Sequence, residues 1–435
     1  MTQLKKSLQA KKNNKAGKVF TLCLLAFAST TLLLVSCTNS KDENLIIWTN
    51  DYSVVSYVEL FNYTHPYTKA VAVYKESPVR SLPPASDEAR PDIVIGSWQK
   101  NTSTRKYFKN LDYMFEEGSL NKNSFYSQLV NYGVINNKQY LLPVSFNIPA
   151  VVFSSKNEEL INTEHFLTLD AIKDISSSYN KKNKSDNYTA MGYGISWDSS
   201  FLYLTTKLFG ASYSEKGKSF SYNSDSIDYA VNYLLDWTRQ LNTNTSNESN
   251  FQFKYLYMPK YHQITTDRCL FTYMTSNEFF TLSNEQSSGL SFRWISQDKK
   301  SPIEDDVVTM GIYKNAKHVS QAEEFITWFF NENNQKSMLE RMNSMNIDSR
   351  TFGIAGGFSS IKNVNELVYP TFYRQLLGNV PSESYLEVPN ILPMRWPNIK
   401  NRVIIPYLTE STNTDIEEEV KELPSRIAEW NRQYF

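Results

Sequence analysis

The sequence is poor in the residues that build covalent and metal-bound sites. It has three cysteines and four histidines in 435 residues. Cys23 lies within the first 36 residues and Cys37 comes directly after them, which leaves Cys269 alone. No intrachain disulfide is therefore expected in the folded part, nor a cysteine-based metal site. His65, His165, His262 and His318 are not paired at metal spacing, and none sits beside a nucleophile turn, so surface or capping roles are expected. Glycine is scarce as well, at 14 residues, and no glycine-rich phosphate loop succeeds a strand-like run. The stretch "FGIAGGFSS" (352–360) has three glycines but no lysine, and reads as a backbone turn. Excess charge of either sign is missing, with 45 basic and 45 acidic residues. The first 36 residues hold six lysines and no acid, so the remainder carries 39 basic against 45 acidic residues, which excludes a nucleic-acid-binding surface as the main function. Neither metal nor cofactor is expected. Paired carboxylates are the remaining route to an enzyme. "EDD" (304–306) and "EE" (116–117) read as solvated loop acids, so the chain is expected not to be an enzyme.

Long apolar runs are absent too, with one exception. A lysine-rich start leads into "VFTLCLLAFASTTLLLVSC", whose stretch from Val19 to Val35 has no charge. Basic flank, apolar middle and small residues at the end make a secretory signal. The ending "LVSC" looks like a bacterial lipobox, with Leu34 at −3, Ser36 at −1 and Cys37 as the lipidated first residue. This predicts a lipoprotein signal peptide over 1–36, a polar tether over 37–44, and an extracytoplasmic protein held on a membrane by two acyl chains.

The composition is that of an ordinary globular chain, 41% hydrophobic and 21% charged, and the length is enough for two domains. "LIIW" (45–48), "VAVY" (71–74), "DIVI" (92–95) and "AVVF" (150–153) read as strands, with a helix over 54–61 between the first two. That is a β-α-β unit, and hence a parallel sheet with right-handed crossovers. Helices are predicted over "FLYLTTKLFG" (201–210), over "SIDYAVNYLLDWTRQL" (226–241), and from Ser320, with a capping box to Glu323. A last helix is predicted from about Thr414, kinked at Pro424. The polar stretches 176–189 and 242–250 read as surface loops.

Aromatics are plentiful, at 14%, and recur beside amides and carboxylates at the ends of these elements. The four places are "WTND" (Trp48, Asn50, Asp51), "GSWQKN" (Trp98, Gln99), "PVSFNIP" (Asn147) and "PMRWPN" (Trp396). A sugar offers a protein apolar ring faces, which stack on aromatic rings, and dense hydroxyls, which pair with Asp, Asn and Gln. In open α/β sheets, ligands bind at the carboxyl ends of the strands, where these groups fall.

The lipobox, "LIIWTND", "ARPDIVIGSW" and "NKQYLLPVSFNIPAVVF" together resemble the family 1 extracellular solute-binding proteins of ABC importers, the maltodextrin-binding type among them. The resemblance runs on through "DRCLFTYMTSNEFF" (267–280) and "MGIYKNAKHVSQAEEFITWFF" (310–330), while "FSSKN" (153–157) departs from the usual Tyr-Asn-Lys. It implies an α/β, two-lobed periplasmic-binding-protein-like fold of type II, with parallel sheets, helices on both faces and hinge crossover strands. Lobe 1 would be 45–147 and 306–345, and lobe 2 would be 148–305 and 346–435. It further implies a monomeric receptor that captures a small solute, a sugar or oligosaccharide, between the lobes and delivers it to ABC permease and ATPase subunits. The implied ligand-binding residues are Trp48, Asn50, Asp51, Trp98, Gln99, Asn147, Tyr203, Ser276, Asn277 and Trp396. Arg80, Arg105 and Arg395 leave an acidic sugar open as ligand. The alternatives are a glycan-degrading lipoprotein, or a surface glycan-binding or adhesion protein without a transport role.

Overall fold

The computed structural model describes residues 44–161, 165–216, 219–344 and 351–434. The expected signal peptide over 1–36, Cys37 and the expected tether as far as residue 43 lie outside the described residues, as does the expected lobe boundary at 345/346. Ten strands build the two main sheets. They are β1 (Leu45–Thr49), β2 (Ala70–Tyr74), β3 (Ile93–Gly96), β4 (Leu142–Phe146), β5 (Pro149–Ser154), β6 (Phe166–Leu167), β7 (Thr272–Thr275), β8 (Leu290–Ile295), β9 (Val308–Ile312) and β10 (Phe358–Ser359).

The larger sheet has the order β10-β4-β9-β3-β1-β2. Its parallel heart, β2-β1-β3, is the β-α-β unit expected from the sequence, with helix α1 (Ser53–Thr64) crossing between β1 and β2. β3 is buried along its whole length, which is why it reads as a continuous apolar run rather than an alternating one. The smaller sheet, β7-β5-β8-β6, is the core of the second lobe. The strands nearest the hinge run antiparallel: β9 to β3 and β4, and β7 and β8 to β5. Connectivity sets the direction. β4 passes through Asn147 and Ile148 straight into β5 of the other sheet, and β9 returns after Glu304–Asp306. The two crossovers are tied where they pass, the Glu304 amide donating to the Asn147 carbonyl at 2.9 Å. β10 pairs with β4, so residues 346–435 do not all go with the second sheet. The chain then crosses again, since Leu386–Glu387 pairs with Ser301–Pro302 and Trp396 joins the second lobe's core.

Some local expectations give way to tertiary packing. Stretch 242–250 is not a loop. Asn244 caps a helix over Thr245–Lys254, and Glu248 is buried where Thr238, Asn242 and Ser196 donate to it. Stretch 176–189 holds the end of a helix and a short hairpin. Ser320 lies inside helix α3 (Val319–Phe329), behind His318 at the cap, and Glu323 takes the Tyr113 hydroxyl instead of closing a capping box. Pro424 sits in the first turn of the final helix, Leu423–Tyr434, where its missing N–H costs nothing, so it starts the helix rather than kinking it. The helix read from "FLYLTTKLFG" is α2 (Ser199–Leu208), capped by Asp198.

Candidate functional site

Loops at the carboxyl ends of β1 and β3 face the second lobe, and a cavity of about 200 Å³ lies between the lobes at the hinge. Trp98 forms its first-lobe wall, and Thr275 and Asn277 approach from the second lobe. The crossovers supply Asn147 and the Glu304–Asp306 run, and Lys400 with Asn401 closes the far side. Trp98 holds φ at +65°, a left-handed conformation rarely taken by a bulky residue. Such strain persists only where surrounding structure enforces it, and it concentrates at functional sites.

The floor of the cavity is a charge network around Asp305. Its Oδ1 accepts from Lys207 Nζ at 2.8 Å. Its Oδ2 accepts from Tyr203 Oη at 2.7 Å and Trp396 Nε1 at 2.9 Å, with Lys400 Nζ 3.9 Å away. Burial opposes the Asp305 charge, but Lys207 and Lys400 outweigh it and hold the carboxyl down to about 2. Glu304 goes the other way. Burial, together with Asp305 and Asp306, pushes its carboxyl up to about 7 against the pull of Lys207 and Lys400.

The hinge is pinned by side chains as well. Asn147 donates from Nδ2 to the Gly356 carbonyl at 2.9 Å and accepts from Ser276 Oγ at 2.6 Å. The turn at 352–360 therefore packs against the crossover, with Gly353 and Gly356 at positive φ and the Gly353 position sealed by Tyr369. A second cavity of about 360 Å³ opens further along, between the start of α1 (Tyr52, Ser53) and Phe279 and Phe280, with Phe372 and Tyr373 beside it. Asn50 lies on the first-lobe side, its Oδ1 closing over Gly96 beside the Trp98 loop.

No protein-family model and no curated protein matches the sequence. Solved structures match its shape. A cyclo/maltodextrin-binding protein complexed with maltotetraose superposes with a TM-score of 0.61 at 13% identity, over 91% of this chain and 98% of that one. A sugar transporter from Rhizobium etli in an open conformation gives a TM-score of 0.61 at 12% identity, over 88% and 98%. An ABC substrate-binding protein from Listeria monocytogenes in complex with cycloalternan gives 0.58 at 11%, over 89% and 97%. The chain has the two-lobed solute-binding-protein fold.

Within that fold the residues singled out from the sequence divide. Trp98, Asn147 and Asn277 come together around the hinge cavity. Asn50 and Asp51 are half-buried on the β1–α1 loop, where Asp51 Oδ1 accepts from the backbone and hydroxyl of Ser53 and orders the start of α1. The others are sealed away. Trp48 is 0% exposed. Side chains alternate along β1, so position 48 faces Val79, Leu82, Val94 and Phe108, and the loop towards the cleft begins only beyond Thr49. Gln99 is buried and spends its amide on the carbonyls of Val94, Gly96 and Thr309. Tyr203 and Trp396 lie beneath the cavity with their polar atoms on Asp305, and buried Ser276 braces Asn147. Arg80 donates to the Met394 carbonyl, Arg395 to that of Tyr434, and Arg105 lies over the Tyr140 ring, so none of the three lines the hinge cavity.

Sequence reasoning missed Thr275, Glu304–Asp306, Lys400 and Asn401. "EDD" read as a solvated run because the two lysines that bury it come from positions about 100 residues away on either side. Among the described residues no group of His, Cys, Asp and Glu could hold a metal ion, and no helix is long and apolar enough to cross a membrane. Cys269 is buried in the core, and burial pushes its thiol up to about 12.

The raised Glu304 carboxyl has a measurable consequence. A carboxyl whose folded-state pKa exceeds its unfolded value costs nothing below about pH 4.5, and the protein loses stability as pH rises towards 7. Glu304→Gln is expected to raise the unfolding free energy at pH 8 by about 2 kcal/mol. Urea titrations should show that gain shrinking to nothing at pH 4.

Proposed function

We propose that the protein is an extracytoplasmic receptor that captures a sugar or oligosaccharide between its lobes and delivers it to an ABC importer. The observation that carries this reading is the hinge cavity, lined from both lobes by an indole, amides and carboxyls. Trp98 offers a stacking face, and Asn277, Thr275, Asn401 and Glu304 offer hydrogen-bonding partners for hydroxyls. Tyr52, Phe280 and Tyr373 would extend the stacking surface to further rings of a longer chain. Sugar or oligosaccharide ligands in the maltotetraose and cycloalternan complexes of similar shape support the same class.

The mechanism is a shift of population. A solute that touches both lobes stabilises the closed form through contacts absent from the open one. The permease would read that closure. A diacylated Cys37 would hold the receptor on the membrane and raise its effective concentration at the importer. A glycosidase is disfavoured by geometry. Glu304 and Asp306 are two apart on one crossover segment, whereas glycoside hydrolysis needs carboxyls flanking the bond.

A thermal-shift screen of mono- and oligosaccharides, sugar phosphates and amino acids tests the reading. A bound solute at 100 times its Kd adds about 2.7 kcal/mol of stability. The reading fails if no small solute raises the melting temperature. Two hydrogen bonds already cross the rim of the cleft, from Arg80 to the Met394 carbonyl and from Thr102 to Glu215, each at 2.9 Å. Each is worth on the order of 1 kcal/mol to the closed form. Arg80→Ala is expected to weaken solute affinity about threefold, mainly through faster release, as stopped-flow fluorescence would show.

A further inference from the structure

The hinge cavity has acceptors that its cationic donors do not reach. Both lysines at its floor are engaged: Lys207 donates to Asp305 and to the Ile303 carbonyl, and Lys400 sits near Asp305 and over the Tyr203 ring at 4.2 Å. The acceptors are not matched. Asn277 Oδ1 is buried with no donor among the described residues. Glu304 has one weak partner, the Tyr273 hydroxyl at 3.3 Å. Asp306 reaches the same cavity and stays exposed. Both lysines are held at Asp305, so an ionised Glu304 has no hydrogen-bonded counter-charge in a site that must lose water when it closes. A neutral sugar can donate hydroxyl hydrogens to these acceptors, but it cannot balance that charge. A protonated amine does both. Beside the Trp98 indole, it also gains from the ring face.

Building on the receptor reading above, we infer that the solute is an amine-bearing sugar whose ammonium sits between Glu304, Asp306 and Asn277 Oδ1. The cavity volume of about 200 Å³ suits one sugar ring. The charged and titratable groups that face Glu304 are Asp305, Asp306, Lys207, Lys400, Tyr203 and Tyr273. The lysines answer Asp305, so the ammonium answers Glu304. An ammonium there favours the ionised form of Glu304, so affinity falls as pH drops below 7 and a proton competes with the ligand.

Isothermal titration calorimetry on the mature protein tests this with matched probes: glucosamine and its β-1,4 dimer and trimer, the same sugars N-acetylated, and glucose, cellobiose and cellotriose. At pH 7 at least one amino sugar should bind ten times more tightly than both its acetylated and its neutral counterparts. The preference should collapse at pH 5, where the sugar amine is still protonated but Glu304 is not ionised. It should collapse also in Glu304→Gln, whose melting temperature at pH 7 should equal or exceed that of the parent and so show that it folds. Neutral or acetylated sugars binding as tightly as the amines would overturn the amine inference and leave the receptor reading standing. If no sugar in these sets or in the wider screen binds, the receptor reading itself fails.

Discussion

Asp305→Ala is expected to lower the unfolding free energy by about 3–5 kcal/mol at pH 7. The carboxylate is buried, and four groups converge on it: Lys207, Tyr203, Trp396 and Lys400. Removing it strands a lysine whose side chain is 14% exposed and orphans a buried indole N–H and a buried phenol. Each orphaned donor carries its own desolvation cost of about 1–3 kcal/mol. Asp305→Asn keeps the shape and part of the hydrogen bonding, so a smaller loss is expected. The pH dependence has the opposite sign from that of Glu304. Asp305 is held down to about 2, so its contribution is complete above about pH 4 and disappears as pH falls through 2. Urea denaturation at pH 7 measures the first effect. A loss below 1 kcal/mol would mean that the network does not hold the second lobe's floor together.

Two tryptophans should separate packing from binding. Trp396 is 0% exposed and packs on Tyr203, Tyr213 and Phe220. Trp396→Ala is expected to cost about 3–5 kcal/mol of stability, as large-to-small changes in cores do. Trp98 is only half-buried and forms the cavity's first-lobe wall. Trp98→Ala is expected to lower sugar affinity at least tenfold, about 1.4 kcal/mol, while the melting temperature moves by a few degrees at most. Calorimetric titration and thermal unfolding of both variants decide the matter. Trp98→Ala binding as well as the parent would remove the indole from the ligand's surroundings.

These two residues also show how far the sequence could be read. Both are tryptophans at element ends beside amides, and in sequence they carry one signal. What divides them is lost to local reading. Trp396 finds a carboxylate 91 positions away, whereas Trp98 holds a left-handed backbone and meets the second lobe's core half-buried, across the cleft. Trp48 could have been assigned from alternation along β1, since Leu45 and Ile47 share one face and position 48 must take the other. The strands were legible because β-branched runs are bounded by polar turns, as at β3 between Pro91 and Gly96. The hinge was legible in part. Asn147 stood out beside the crossover, but Glu304–Asp306 looked like any acidic turn. An acidic run becomes the floor of a cavity only when lysines arrive from α2 and from the residues after Trp396, and that pairing is a property of the fold.

The most direct measurement is a crystal structure of the protein with whichever sugar raises its melting temperature most. The expected result is one sugar ring between Trp98 and the Asn277–Glu304 wall, with both lobes in contact with it. A sugar bound outside the inter-lobe cleft, or one held by a single lobe alone, would contradict the account.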